Sequence, residues 1–306
     1  MRRGIFLVGI LVCVSLSTNA QHNGIFSQYM FNTMVINPGY TGSKESLTAN
    51  MNLRQQWTGF SGAPTTQFLS VHSPLKNKKI AVGGMINREV IGVSSDFKVS
   101  GAFAYRLKTR KGKLSMGISA GIGMSSANWS EINTTEIGDL LFQNNENGSV
   151  RPVFGTGFFY TEKTWYAGYS IPSLMSYNYN NAGTKLITNF NLNQTEHILN
   201  GGYVFEVNRK LHIKPSMLLR FQPTSGIQAD INTNVIFDNK YWVGLSYRST
   251  KEIIAILEYN INYKLKVGYA YDFNFSELST YSSGSHELSI EYGWGMFVKG
   301  RSPRHF

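Results

Sequence analysis

A two-residue rhythm runs through this chain from Leu47 to Trp294. Across residues 263–273 the odd positions are large and apolar or aromatic: Tyr263, Leu265, Val267, Tyr269, Tyr271 and Phe273. The even positions between them, Lys264, Lys266, Gly268, Ala270 and Asp272, are small or charged. A period of two sends successive side chains to opposite faces of a β-strand. One face suits an oily medium and the other suits water or tight packing. Many such strands in one chain point to a closed barrel in an outer membrane, because a sheet in lipid must leave no edge unpaired.

The first residues read as an export signal. Arg2 and Arg3 precede an apolar stretch over 5–16, and Thr18-Asn19-Ala20 offers small residues before cleavage at Gln21. The apolar run is too short to cross a bilayer as a helix. Cys13, the single cysteine, lies inside this segment and follows Leu11-Val12 rather than the small residues expected before a lipidated cysteine. The processed chain is therefore expected to carry no disulfide and no cysteine metal site.

The rhythm repeats with different residues. Leu114, Met116, Ile118, Ala120, Ile122 and Met124 share one face; Ser115, Gly117, Ser119, Gly121, Gly123 and Ser125 share the other. Phe97, Val99, Phe103 and Tyr105 alternate with Lys98, Ser100, Ala102 and Arg106. Leu288, Ile290, Tyr292 and Trp294 alternate with Glu287, Ser289, Glu291 and Gly293. A soluble barrel would bury the bulky face and show water a surface of Gly, Ser and Ala, which is too small and too uncharged for that role. Hydrophobic residues make up 42% of the chain, yet no run after the signal is long enough for a helical span. Aromatics reach 13%, a supply that girdles at two membrane interfaces would use.

Strands are expected at 46–57, 65–73, 79–88, 94–107, 112–126, 152–160, 163–171, 195–207, 210–221, 226–237, 239–248, 252–261, 263–273 and 284–297. That is an antiparallel barrel of about fourteen strands. Connections after even-numbered strands are tight and basic, at 76–79, 109–111, 162–163, 208–209, 238–239 and 262. Those after odd-numbered strands tend to be longer, above all 127–151 and 172–194, rich in Asn. Outer-membrane barrels have short periplasmic turns and longer outer loops, which puts the tight turns and both ends of the barrel on the periplasmic side. Much of the net charge of +11 falls at the tight turns, as in Lys76, Lys78, Lys79, Arg110, Lys111, Lys113, Arg209, Lys210 and Lys240. No basic helix or nucleic-acid module accompanies it, so polar turns at a membrane surface are the plainer account.

The residues of chemistry form no reaction centre. The histidines His22, His72, His197, His212, His286 and His305 show no metal-ligand spacing. Ser70 and His72 share a strand face, which would suit a lumenal lipid hydrolase, yet no acid is suitably placed and no Gly-x-Ser-x-Gly elbow exists. Residues 117–123 look like a nucleotide loop but lie within a strand with no helix after them. Charges on the inner alternates are Arg54, Lys98, Arg106, Lys214, Arg220, Asp230, Glu258, Lys264, Lys266, Asp272, Glu287 and Glu291. They could line a charged pore or partner site, or pair with one another to fill the lumen. The chain closes on Ser302-Pro303-Arg304-His305-Phe306, where Pro303 would end a strand and leave Phe306 on a short tail.

Residues 24–74 are the part least like a repeating barrel. They contain Gln28-Tyr29-Met30-Phe31-Asn32, Asn37-Pro38-Gly39-Tyr40-Thr41-Gly42-Ser43, Arg54-Gln55-Gln56-Trp57-Thr58-Gly59 and Gly62-Ala63-Pro64-Thr65-Thr66. This series, with Gly284-Ser285-His286-Glu287-Leu288 and Ser302-Pro303-Arg304 near the end, resembles the PorP/SprF family of Bacteroidetes outer-membrane proteins. Gly39 stands where Ala is also common in that pattern. The resemblance spans the whole length after the signal. It implies an outer-membrane barrel tied to type IX secretion, without enzymatic activity or cofactor, that assists export or surface attachment of large proteins such as gliding adhesins. The matching positions are Gln28, Tyr29, Asn32, Asn37, Pro38, Tyr40, Gly42, Arg54, Gln56, Trp57, Gly59, Gly62, Ala63, Pro64, His286 and Glu287. They are candidates for a plug, a partner contact or the seam between first and last strands, or they simply fold the barrel. The expected organisation is a signal peptide at 1–20, a periplasmic or plug segment at 21–45, a barrel at 46–297 and a tail at 298–306. A passive pore or small-solute transporter is the rival reading. The expected partners are secretion components, a secreted cargo and outer-membrane lipid, with no nucleic acid.

Overall fold

The computed structural model describes residues 26–131, 145–179 and 186–294. The expected signal peptide and tail lie outside the described residues, as does most of the first long loop. The strands are β1 (Leu47–Gln55), β2 (Thr65–Pro74), β3 (Ile80–Ile91), β4 (Ser94–Lys108), β5 (Lys113–Ala127), β6 (Glu146–Thr161), β7 (Trp165–Ile171), β8 (Met175–Tyr179), β9 (Leu186–Phe190), β10 (His197–Tyr203), β11 (Phe205–Glu206), β12 (Leu211–Gln222), β13 (Gly226–Phe237), β14 (Tyr241–Arg248), β15 (Glu252–Asn260), β16 (Leu265–Asn274) and β17 (Ser285–Trp294). Neighbours pair antiparallel. β1 closes on β17 from Leu47↔Trp294 to Gln55↔His286, and β10 joins β7 on one side to β12 on the other. β10 and β11 both pair with β12 and form one strand interrupted at Val204. With β8 and β9 set apart as their own hairpin, the result is a closed barrel of fourteen strands.

Alternation decides which face meets lipid. In β14 Tyr241, Val243, Leu245 and Tyr247 point outward and are exposed, while Trp242, Gly244, Ser246 and Arg248 point inward and are buried. Ile118, Ile231 and Leu245 are 59%, 64% and 62% exposed. Side chains of that kind in such numbers on an outer wall are solvated by hydrocarbon, not water. Near the tight-turn end the outer wall carries rings: Tyr203 against Phe205, Tyr292 against Trp294, and Tyr241 beside Tyr259. Lys240 lies 5.7 and 5.4 Å over the last pair. An aromatic belt with lysines beyond it marks the headgroup level.

On the opposite rim the expected tendency to longer connections holds at four places and not at three. β3 and β4 are joined by Gly92 and Val93 alone, with Gly92 at φ 56°, and the β12–β13 and β14–β15 turns are one residue longer. Only the β1–β2, β5–β6, β7–β10 and β16–β17 connections are long. β6 starts at Glu146 rather than 152, because its Asn-Gly-Ser stretch pairs with the upper end of β5 past an irregularity at Ser125 and Ala127. The expected loop at 172–194 contains the β8–β9 hairpin, in which Met175 pairs with Phe190. Lys264, expected on an inner strand face, sits in the β15–β16 turn over the Tyr263 ring.

Residues 26–46 run through the lumen. Two 3-10 turns, Thr33–Val35 and Pro38–Tyr40, give the segment its shape, and every residue from 26 to 42 except Val35 is buried. It starts among inner-wall residues near the long-loop rim and leaves at the tight-turn end, where β1 begins.

Candidate functional site

The wall grips the segment at three levels. At the top, the Ser27 and Gln28 amides donate to the two carboxylate oxygens of Glu287 at 2.6 and 3.0 Å. The Ser27 hydroxyl donates to Asp272 at 2.7 Å and accepts from Arg54 at 2.8 Å. Arg54 also pairs with Asp272 at 2.6 Å and with Glu287 at 3.2 Å. Gln28 donates to the Glu287 carbonyl and accepts from Ser289. β1, β16 and β17 each contribute one charge because their registers put Arg54 opposite Glu287 and Asp272 opposite Ser285. The polar chain continues around the wall. Arg248 lies 3.8 Å from Asp272 and bonds Asp230 and Glu252 at 3.0 and 2.9 Å. Gln228 links Asp230 to Arg220, which pairs with Glu196. Buried ions are tolerated only in such mutually satisfied sets, and removing one member strands its partner at about 3–5 kcal/mol.

The middle level is apolar on one side. Tyr29, Met30, Phe31 and Ile36 pack on inward-facing Ile198, Leu218, Ile236, Trp242, Ile254, Ile256 and Ala270. Phe31 meets Trp242 edge-on at 5.5 Å. The inner face, expected to be small or charged, is instead bulky and apolar in places over β12–β16, where the segment covers it. On the other side Asn32 donates to Asn52 at 2.9 Å and accepts from Ser70 at 3.3 Å.

The lower level uses the Asn37-Pro38-Gly39-Tyr40 turn. Asn37 donates to the Phe158 carbonyl at 3.0 Å and accepts from the Gly39 amide at 2.8 Å. Gly117 and Gly157 face this turn so closely that a methyl on either would overlap Pro38 or Asn37. Tyr40 stands edge-on to Phe159 and His72 at 5.1 and 5.7 Å. Gly42, at φ 76°, donates its amide to His72 Nδ1 at 3.1 Å. Lys44 pairs with Glu291 at 3.4 Å, and Glu45 bonds Arg106 and Lys113. Ser70 and His72 each bind the segment rather than one another.

The other matching positions lie elsewhere. Gln56, Trp57, Gly59, Gly62, Ala63 and Pro64 form the β1–β2 loop on the outer rim. That loop extends the seam, with Thr58 and Ser283 exchanging backbone bonds at 2.8 Å with Gly284 and Thr58, and Gly62 accepting from Gly92 at 2.9 Å. His286 faces outward and meets the Tyr269 hydroxyl at 2.6 Å. The sixteen positions therefore divide between segment, clamp, rim loop and outer wall. Sequence reasoning missed the apolar inner patch. Its signal was Ile253-Ile254-Ala255-Ile256-Leu257, a strand apolar on both faces. It also missed a cavity of about 770 Å³ above the segment, at the long-loop mouth.

A model of the type IX secretion system membrane protein PorP/SprF family matches residues 18–292. No curated protein matches the chain. Among solved structures it is similar to the CymD monoaromatic hydrocarbon channel, at 12% identity and a TM-score of 0.52, over 89% of this chain and 94% of that one. It is also similar to the outer membrane protein Omp33 of Acinetobacter baumannii, at 10% identity and a TM-score of 0.49, over 82% of this chain and 100% of that one. The likeness to solved structures is one of fold alone.

Proposed function

Because the chain belongs to the PorP/SprF family of type IX secretion system membrane proteins, we propose that it supports export and surface attachment of a large adhesin-like cargo as a plugged, non-enzymatic outer-membrane barrel. Residues 1–20 serve as its cleaved leader, and the motif residues from Gln28 to Gly42, with Arg54 and Glu287, hold the plug. The observation that supports this reading over a passive pore is the filled lumen: residues 26–46 join opposite walls at three levels. A barrel closed in this way offers its outer rim and mouth to a protein partner while blocking free solute passage. The fold alone does not separate the two roles, since the CymD monoaromatic hydrocarbon channel shares it.

The test is a gene deletion in the native cell. Surface adhesins should vanish from the cell surface and return on complementation. Adhesins exported and attached at the parental level in the deletion strain would overturn the proposal. Co-purification in native detergent should bring down secretion components or the cargo.

A further inference from the structure

The cavity at the outer mouth holds three side-chain acceptors without a hydrogen-bond or ion-pair partner among the described residues. Thr66 on β2 is 4% exposed, and its hydroxyl lacks a hydrogen-bond partner among the described residues. The Asn87 Oδ1 on β3 is buried and equally unpartnered. No hydrogen bond or ion pair reaches the Glu89 carboxylate among the described residues. All three line the cavity. Register puts them together: Thr66 is the cross-strand partner of Glu89, and Asn87 shares the inner face of β3 two residues along. Cross-strand partners on one face have Cβ atoms about 4.5–5.5 Å apart.

The surroundings raise the demand for a cation. Glu89 stands opposite a second acid, Asp96, in the β3–β4 register. Directly opposed like charges destabilise a sheet. Lys98 acts on Glu89 through space but bonds Asp96 instead, at 2.7 Å, and Arg151 also pairs with Asp96. Beneath these groups the cavity floor is apolar, with Phe26 and Phe68 in ring contact at 5.9 Å.

We propose that this mouth is a binding site for a primary ammonium on a flexible apolar stem. An ammonium presents three donors and no acceptor, matching a carboxylate, a hydroxyl and an amide oxygen. Its methylene stem lies on the aromatic floor, where the rings favour both the stem and the charge. A lysine side chain of a polypeptide and a free alkyl diamine share this chemistry. The site lies above the three grips, with Phe26 of the plug in its floor, and is read on purified protein, so its failure would leave the secretion reading untouched.

The experiment is calorimetry on the full barrel in detergent. The probes are a blocked lysine peptide, the same peptide with norleucine in its place, and 1,5-diaminopentane. The lysine peptide should bind and the norleucine peptide should not. Glu89→Gln should weaken lysine-peptide binding about tenfold or more, the scale of a lost bond to a charged group. Raised salt should weaken it as well. Binding of the peptide but not the diamine assigns the site to polypeptides, and the reverse assigns it to small amines. Equal binding of lysine and norleucine peptides, or unchanged binding to Glu89→Gln, would overturn the proposal. Folding of each variant is checked by heat-modifiable gel mobility. Should Glu89→Gln fail to fold, Thr66→Val provides the same comparison.

Discussion

Glu287 shows how much a single residue holds at this site. Its carboxylate accepts two backbone amides from the segment and pairs with Arg54, all in a buried setting. Glu287→Ala leaves those amides without acceptors and Arg54 with Asp272 as its one remaining acid, so stability should fall by about 3–5 kcal/mol. Glu287→Gln keeps one acceptor oxygen and should cost less. Urea unfolding followed by tryptophan fluorescence in detergent checks the order, and equal losses would contradict it. Gly117 gives a second test through the sign of its effect. In a strand, Gly→Ala ordinarily gains about 0.5–1 kcal/mol. Here the new methyl meets the Pro38 and Gly39 backbone, so Gly117→Ala should instead destabilise by about 1–3 kcal/mol, the usual scale of overpacking. A stabilised variant would mean that the turn does not press on that wall. In the sequence Arg54, Asp272 and Glu287 were legible as inner-face charges from alternation alone. That they form one clamp was not, because the partners lie more than 200 positions apart and only sheet closure aligns them.

At the scale of elements, period two carried most of the fold. Every expected strand has a counterpart, since bulky and small residues alternate through β4, β5, β14 and β17 with only Gly101 and Ala120 small on the outer face. The failures have a common cause. The early start of β6 and the β8–β9 hairpin lie in Asn-, Gly- and Ser-containing stretches, whose composition reads as turn even when a neighbouring strand recruits them. β15 failed differently: its inner Ile254 and Ile256 broke the polar-lumen pattern because they face Tyr29, Phe31 and Ile36 rather than water. Phe31→Ala removes the ring that meets Trp242 and opens a hole in that cluster, at a cost of about 3–5 kcal/mol. Trp242 should then be wetted, and its emission should shift to the red. An unchanged spectrum together with unchanged stability would show that the apolar wall does not depend on the segment.

For the whole molecule, the sequence announced a barrel without announcing that it is filled. A wall of alternating strands reads the same around an open channel or a closed one, and residues 26–46 carry no period that would place them inside. The filled lumen yields the sharpest prediction. Intact protein in a planar bilayer should show no steady conductance, because the segment bonds the β1–β17 seam above and the β6–β7 wall below. Deleting residues 26–44 should produce one. The wall itself should survive, since β1 still pairs with β17 along its full length, and Arg54 keeps Asp272 and Glu287 as partners once water replaces the segment. The newly exposed inner patch over β12–β16 should lower stability without unzipping the barrel, and retained heat-modifiable mobility checks that the deletion variant is folded. Glu287→Gln, with the upper grip loosened but the segment present, should give only brief openings. Steady conductance in the intact protein equal to that of the deletion would show that the segment does not seal the lumen, and the passive-pore reading would then displace the plugged barrel.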